Sequence, residues 1–186
     1  MSILEIRVLG DPILRAETAP VSAITDELRS LARSMFDTMY LAKGIGLAAP
    51  QIGRTERMTV VDVDDNPLVL INPEILDASG KPAKAEEGCL SIPDVYGDVE
   101  RPSNVRVRAL GLDGRPFEVE ASDLFARCLQ HEIDHLHGKL FIDYLSVLKR
   151  RSALAKWSKE KDKYPGFVRT LAEDPPRTHE HPDEEL

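Results

Sequence analysis

The chain has 186 residues, 42% hydrophobic and 30% charged, and 24 basic against 32 acidic side chains give a net charge of −8. Its longest apolar runs, such as residues 68–71, are four residues long, far short of the roughly 20 that cross a bilayer, so no membrane partner is expected. The acidic balance excludes nucleic-acid binding over the whole surface and leaves room only for a local basic patch.

The first seven residues have neither a basic start nor a long apolar stretch; no leader is read there, and the expected location is the cytoplasm. From residue 25 to 43, Leu28, Leu31, Ala32, Met35, Phe36 and Met39 recur at helical spacing, with Thr25 as cap and Asp26 and Glu27 in the first turn. Two glycines and a proline deny residues 44–53 a regular helix. Strand-like runs follow at 58–63 and 68–71, joined by a turn at 64–67. A polar stretch leads to residues 86–93. Val105, Val107 and Ala109 alternate with Arg106 and Arg108 as in a half-buried strand, and a turn at 111–114 leads into another at 116–120.

A second helix starts at Ser122 and stops at Gly138. A third stretch, 147–163, is basic, with seven Lys or Arg against two acids. Residues 172–186 hold six acids, three prolines and no aromatic residue, a composition that does not fold. The reading is therefore a body over 1–165 with an acidic, disordered tail over 166–186. Strands joined by turns too short for helical crossovers predict α+β with mostly antiparallel sheet.

The second helix carries the chemistry. His131-Glu132-Ile133-Asp134-His135 is an HExxH pattern, and positions four apart lie on one helix face, where two imidazoles can grip one metal ion. Glu132, about 100° round from His131, is placed to reach a water at that metal. Leu124, Cys128, His131 and His135 follow one stripe, so a core-facing stripe delivers the histidines inward. Two familiar peptidase completions are weakened, because the extended motif ends on Phe141 and the first downstream Glu is Glu160. The third ligand is therefore sought upstream, at Cys89 or Cys128. Cys128 is about 10 Å along the axis from His135 and reads better as a wall residue. Cys89 follows a glycine that permits close approach. One cysteine leaves a position for water; both would close a structural Cys2His2 site.

Three motifs together resemble peptide deformylase: Gly44-Ile45-Gly46-Leu47-Ala48-Ala49-Pro50-Gln51, Glu87-Gly88-Cys89-Leu90-Ser91, and Gln130-His131-Glu132-Ile133-Asp134-His135-Leu136. The likeness covers roughly residues 3–150. It implies hydrolysis of the formyl group from the N-terminal formyl-methionine of new polypeptides, and antiparallel sheets around a central helix. It implies Cys89, His131 and His135 as ligands of one Fe(II), with Zn, Ni or Co as substitutes. It further implies Glu132 as proton carrier, and the Gln51 amide and Leu90 N–H as donors to the developing oxyanion. Substrate contacts are expected from Ile45, Gly46, Leu124, Arg127 and Cys128, with the Arg127 stem at the pocket mouth and its charge in water. Glu87 and Arg101 are read either as an ion pair bracing the Cys89 segment or as a solvated surface pair. The basic helix is read either as a surface that touches ribosomal RNA, as family analogy implies, or as a solvated helix face. A metallopeptidase and a structural-metal module are the competing readings.

Overall fold

The computed structural model describes residues 2–172; the acidic stretch beyond them, with His179 and His181, lies outside that range. After the short strand β1 (Ile6–Arg7) comes α1 (Asp26–Leu41). It starts where the sequence places its cap, since the Thr25 hydroxyl accepts from the Leu28 N–H at 3.2 Å. Residues 44–53 form no regular helix but the strand β2 (Gly46–Ala48) and a 3-10 turn over Ala49–Ile52. There follow β3 (Met58–Asp62), β4 (Pro67–Ser79), β5 (Ala83–Cys89), β6 (Ile92–Arg101), β7 (Asn104–Leu110) and β8 (Pro116–Ser122). Then come α2 (Asp123–Leu136), α3 (Val147–Glu160) and β9 (Val168–Arg169).

Five strands make one antiparallel sheet in the order β2-β3-β4-β7-β8, while β5-β6 and β1-β9 are separate antiparallel pairs. The fold is the expected α+β. Strand β3 shows how the sheet is covered on both faces. Met58 and Val60 pack with Leu28, Ala32, Met35 and Met39 of α1, whereas Val61 points the other way, toward Ala126, Leu129 and Ile133 of α2, as the two-residue period of a strand requires. Helix α2 thus lies between the sheet and the β5–β6 hairpin. No helix among the described residues is long and apolar enough to cross a membrane.

Three features differ from the sequence reading. The sequence carries no strand signal for the hairpin β5–β6, only a polar stretch leading to residues 86–93, because two of the hairpin's buried positions hold Glu87 and Arg101 rather than apolar residues. Strand β4 runs well past residue 71, carried by register shifts between Ile71 and Glu74 and between Ile75 and Asp77; such bulges let a strand absorb Asn72-Pro73. Finally, the packed body does not end at 165. Val168 and Arg169 pair with Arg7 and Ile6, so ordered pairing continues past the expected boundary.

Candidate metal centre

Cys89 ends β5, and His131 and His135 stand on successive turns of α2. The Cys89 Sγ lies 3.3 Å from His135 Nε2, which lies 3.2 Å from His131 Nε2, and all three ligand atoms fall within 4.8 Å of one another. One thiol sulfur and two imidazole nitrogens are donors that a divalent transition metal takes, and three protein ligands leave a tetrahedral ion one open position. His131 turns Nε2 toward the cluster because its Nδ1 is paired with Glu87 Oε1 at 2.9 Å, a partner that fixes ring and tautomer. Cys128 does not join them. Its Sγ reaches the Ile45 carbonyl at 3.6 Å, and burial pushes its thiol well up, away from the thiolate that binds metal.

Glu132 is buried, and its Oε2 has no hydrogen-bond partner among the described residues. Burial pushes its carboxyl up to about 7, against the pull of the neighbouring His131. Gly46, at the start of β2, packs against it so closely that a Cβ at 46 would land on the Glu132 carboxyl. The missing side chain at 46 therefore has a structural cause that the sequence reading did not contain.

A cleft of ≈ 300 Å³ opens over the cluster. It brings together Ile45, Gly46, Gln51, Cys89, Leu90, Leu124, Arg127, Cys128, His131 and Glu132, with His135 buried behind them. Its lip carries three exposed apolar side chains, Ile45, Leu124 and Tyr96, at 43%, 54% and 58% exposure, beside the charged Lys43 and Glu86. Gln51 is anchored at its oxygen, which accepts from the Ala48 N–H at 2.9 Å. Its Nε2 donates to Ser91 Oγ at 3.1 Å, with Cys89 Sγ at 3.6 Å. Tyr96 escaped the sequence reading. The one signal was Gly88, which pairs with Tyr96 across the hairpin and whose absent Cβ makes room for that ring.

Arg127 corrects an expectation. It lines the cleft, but its charge is not in water: the residue is 9% exposed. Its Nη1 donates to Glu87 Oε2 at 2.6 Å and to the Val99 carbonyl at 2.8 Å, and its Nη2 to the Ala83 carbonyl at 2.7 Å. Three acceptors converging from the hairpin draw the guanidinium inward, and a buried carboxylate compensates its charge. Glu87 and Arg101 also form a buried pair, bidentate at 2.7 and 2.9 Å. Arg101 continues to Asp134 Oδ2 at 2.9 Å, which the Tyr144 hydroxyl also reaches at 2.7 Å. Burial pushes the Glu87 carboxyl up, but the hydrogen bonds from Arg101 and His131 outweigh it and bring the group down to about 2.

The family described as Polypeptide deformylase matches residues 3–151. The chain belongs to the polypeptide deformylase family. A peptide deformylase of Alkalilimnicola ehrlichii is 55% identical over 86% of this chain and 91% of its own length. The crystal structure of a peptide deformylase from Legionella pneumophila superposes with a TM-score of 0.83 at 47% identity, covering 87% of this chain and 97% of that one. A peptide deformylase from Synechococcus elongatus, solved in complex with actinonin, gives 0.81 at 48% identity over 83% and 88%. Polypeptide deformylases are metalloenzymes that remove the formyl group from the N-terminus of newly made proteins, and that hydrolysis is the activity of this chain.

Proposed function

We propose that this chain releases formate from formyl-methionyl polypeptides at a single ion, Fe(II) in its working state with Zn, Ni or Co as substitutes, held by Cys89, His131 and His135. One observation carries the reading. A buried carboxyl with a free oxygen, Glu132 Oε2, adjoins a three-donor cluster at the floor of a cleft bordered by Ile45, Leu124 and Tyr96. A divalent ion held by Cys89, His131 and His135 would supply Lewis acidity for the attacking water and the formyl oxygen. Glu132 takes a proton from the attacking water and delivers it to the amine nitrogen as the C–N bond breaks. Gln51 Nε2 and the Leu90 N–H donate to the oxygen on which negative charge grows. Formate and a free N-terminal amine leave.

Ile45, Leu124, Cys128, the His131 ring and the alkyl stem of Arg127 form the wall for the methionine side chain, and Gly46 offers backbone to the extended substrate. The catalytic body holds residues 1–165 and β9 behind them. The basic face of α3 is the surface offered to ribosomal RNA, and the cytoplasm is the place of work.

Protein purified without oxygen should release formate from formyl-Met-Ala-Ser and leave its internal peptide bonds intact; internal cleavage would establish the peptidase reading instead. Iron-loaded enzyme should lose activity over hours in air, since a thiolate-bound Fe(II) and its sulfur both oxidise, while nickel-loaded enzyme should persist. Equal lifetimes would count against iron.

A further inference from the structure

The segment that follows α3 lies beyond the residues matched to the family, 3–151, yet it returns to the active site. Trp157 anchors the return: its Nε1 donates to the Leu9 carbonyl at 3.1 Å, and its ring stacks on Tyr164 at 5.8 Å. The Val8 N–H then donates to the Phe167 carbonyl at 2.9 Å, and β9 pairs with β1. From β9, Arg169 Nη1 donates to the Leu90 carbonyl at 3.2 Å. Next along the turn, the Ser91 carbonyl accepts from the Leu9 N–H at 2.8 Å.

We propose that Arg169 is a positioning residue for formyl hydrolysis, holding the turn that carries the Leu90 N–H. The inference rests on the donor role given above to that N–H. Peptide units are rigid planes, so fixing the carbonyl oxygens of Leu90 and Ser91 fixes two successive planes. On the other side, Cys89 is held by its pairing with Ile92. Little freedom then remains to the Leu90 N–H between its neighbours. An oxyanion donor acts only within about 2.7–3.1 Å of the charge it meets, and misplacement by about 1 Å can cost a hundredfold in rate. A hydrogen bond from a charged guanidinium, itself held by strand pairing, is a firm brace for such a turn. Arg169 is not among the residues that line the cleft, so it acts through the turn.

The test uses the full-length, nickel-loaded enzyme with Arg169→Met, which keeps an apolar stem and removes the donor, and Arg169→Lys, which restores one charged donor. Arg169→Met should lower kcat about tenfold, with KM changed by less than about twofold and metal content unchanged. Amide hydrogen exchange in a fragment covering residues 88–92 should become faster, and Arg169→Lys should recover part of both losses. Unchanged exchange with unchanged kcat overturns the brace. Faster exchange with unchanged kcat refutes the donor role of Leu90 on which the inference rests. Loss of bound metal, or a rise in KM matching the fall in kcat, makes β9 a support of the fold and overturns the positioning role.

Discussion

Helix α2 brings His131 and His135 to the cluster by packing Ala126, Leu129 and Ile133 on the sheet. The β5–β6 hairpin brings Cys89 there by charge, with the Glu87 carboxylate gripped between Arg101 and Arg127 and bonded to His131. The two devices differ in tolerance. Apolar packing is non-directional and survives volume-conserving exchange. A buried ion cluster is directional, and deleting one member leaves the others charged and uncompensated. The site therefore depends on two kinds of contact that fail in different ways.

Exchange of the two cysteines tests that contrast most severely. Cys89→Ala should abolish stoichiometric metal binding and activity, whereas Cys128→Ala, on α2, should retain the metal and lose about 1 kcal/mol of packing. Metal analysis and calorimetry on both variants decide it; loss of metal from Cys128→Ala would reverse the assignment. Next in size is Glu132→Gln, which keeps shape and removes the proton acceptor. Formate release should fall about 10²–10⁴-fold with metal still bound, and near-wild-type turnover would remove Glu132 from its role.

Glu87→Gln sharpens the hairpin side of the comparison. The amide has nearly the carboxylate's shape but cannot balance Arg101 and Arg127, so a loss of about 3–5 kcal/mol is expected in denaturant titration. Metal affinity should weaken, by up to about 10–100-fold, as the carboxylate that orients His131 gives way to a weaker, neutral acceptor. A loss below about 1 kcal/mol would show that charge does not set the hairpin. The smallest effect is expected where the same residue types meet in water. Arg108 and Glu118 pair at 3.1 Å across β7 and β8, both more than 40% exposed, and Arg108→Ala should change stability by no more than about 0.5 kcal/mol.

The same contrast explains what could be read in advance. Helix α1 was legible because Thr25 and the apolar period mark its start and face, and α2 because its stripe and its HExxH pattern coincide. The hairpin was not, since Glu87 and Arg101 turn inward and a buried charge looks in sequence like an exposed one. Only the fold reveals that Ala83, Glu87 and Val99 supply acceptors to one guanidinium, so sequence alone predicts a wetted Arg127. Strand β9 was hidden by its length of two residues, which leaves no periodicity to detect. The residues named for the cleft lie together, but the Leu90 N–H and the Gln51 amide were named from motifs alone, because no spacing rule points a backbone donor at a substrate.

The close seating of Glu132 over Gly46 sets a limit on how this enzyme can vary. Every amino acid one nucleotide away from a glycine codon adds a Cβ, so no single-base missense change at codon 46 leaves the carboxyl where it is. Ile45, one residue earlier and open at the lip, is free of that restriction. In a saturation library selected for growth on formylated protein synthesis, codon 46 should return glycine alone while codon 45 returns a range of apolar residues. Adaptation to a new side chain or to an inhibitor is thereby channelled into the wall of the cleft and kept out of its floor.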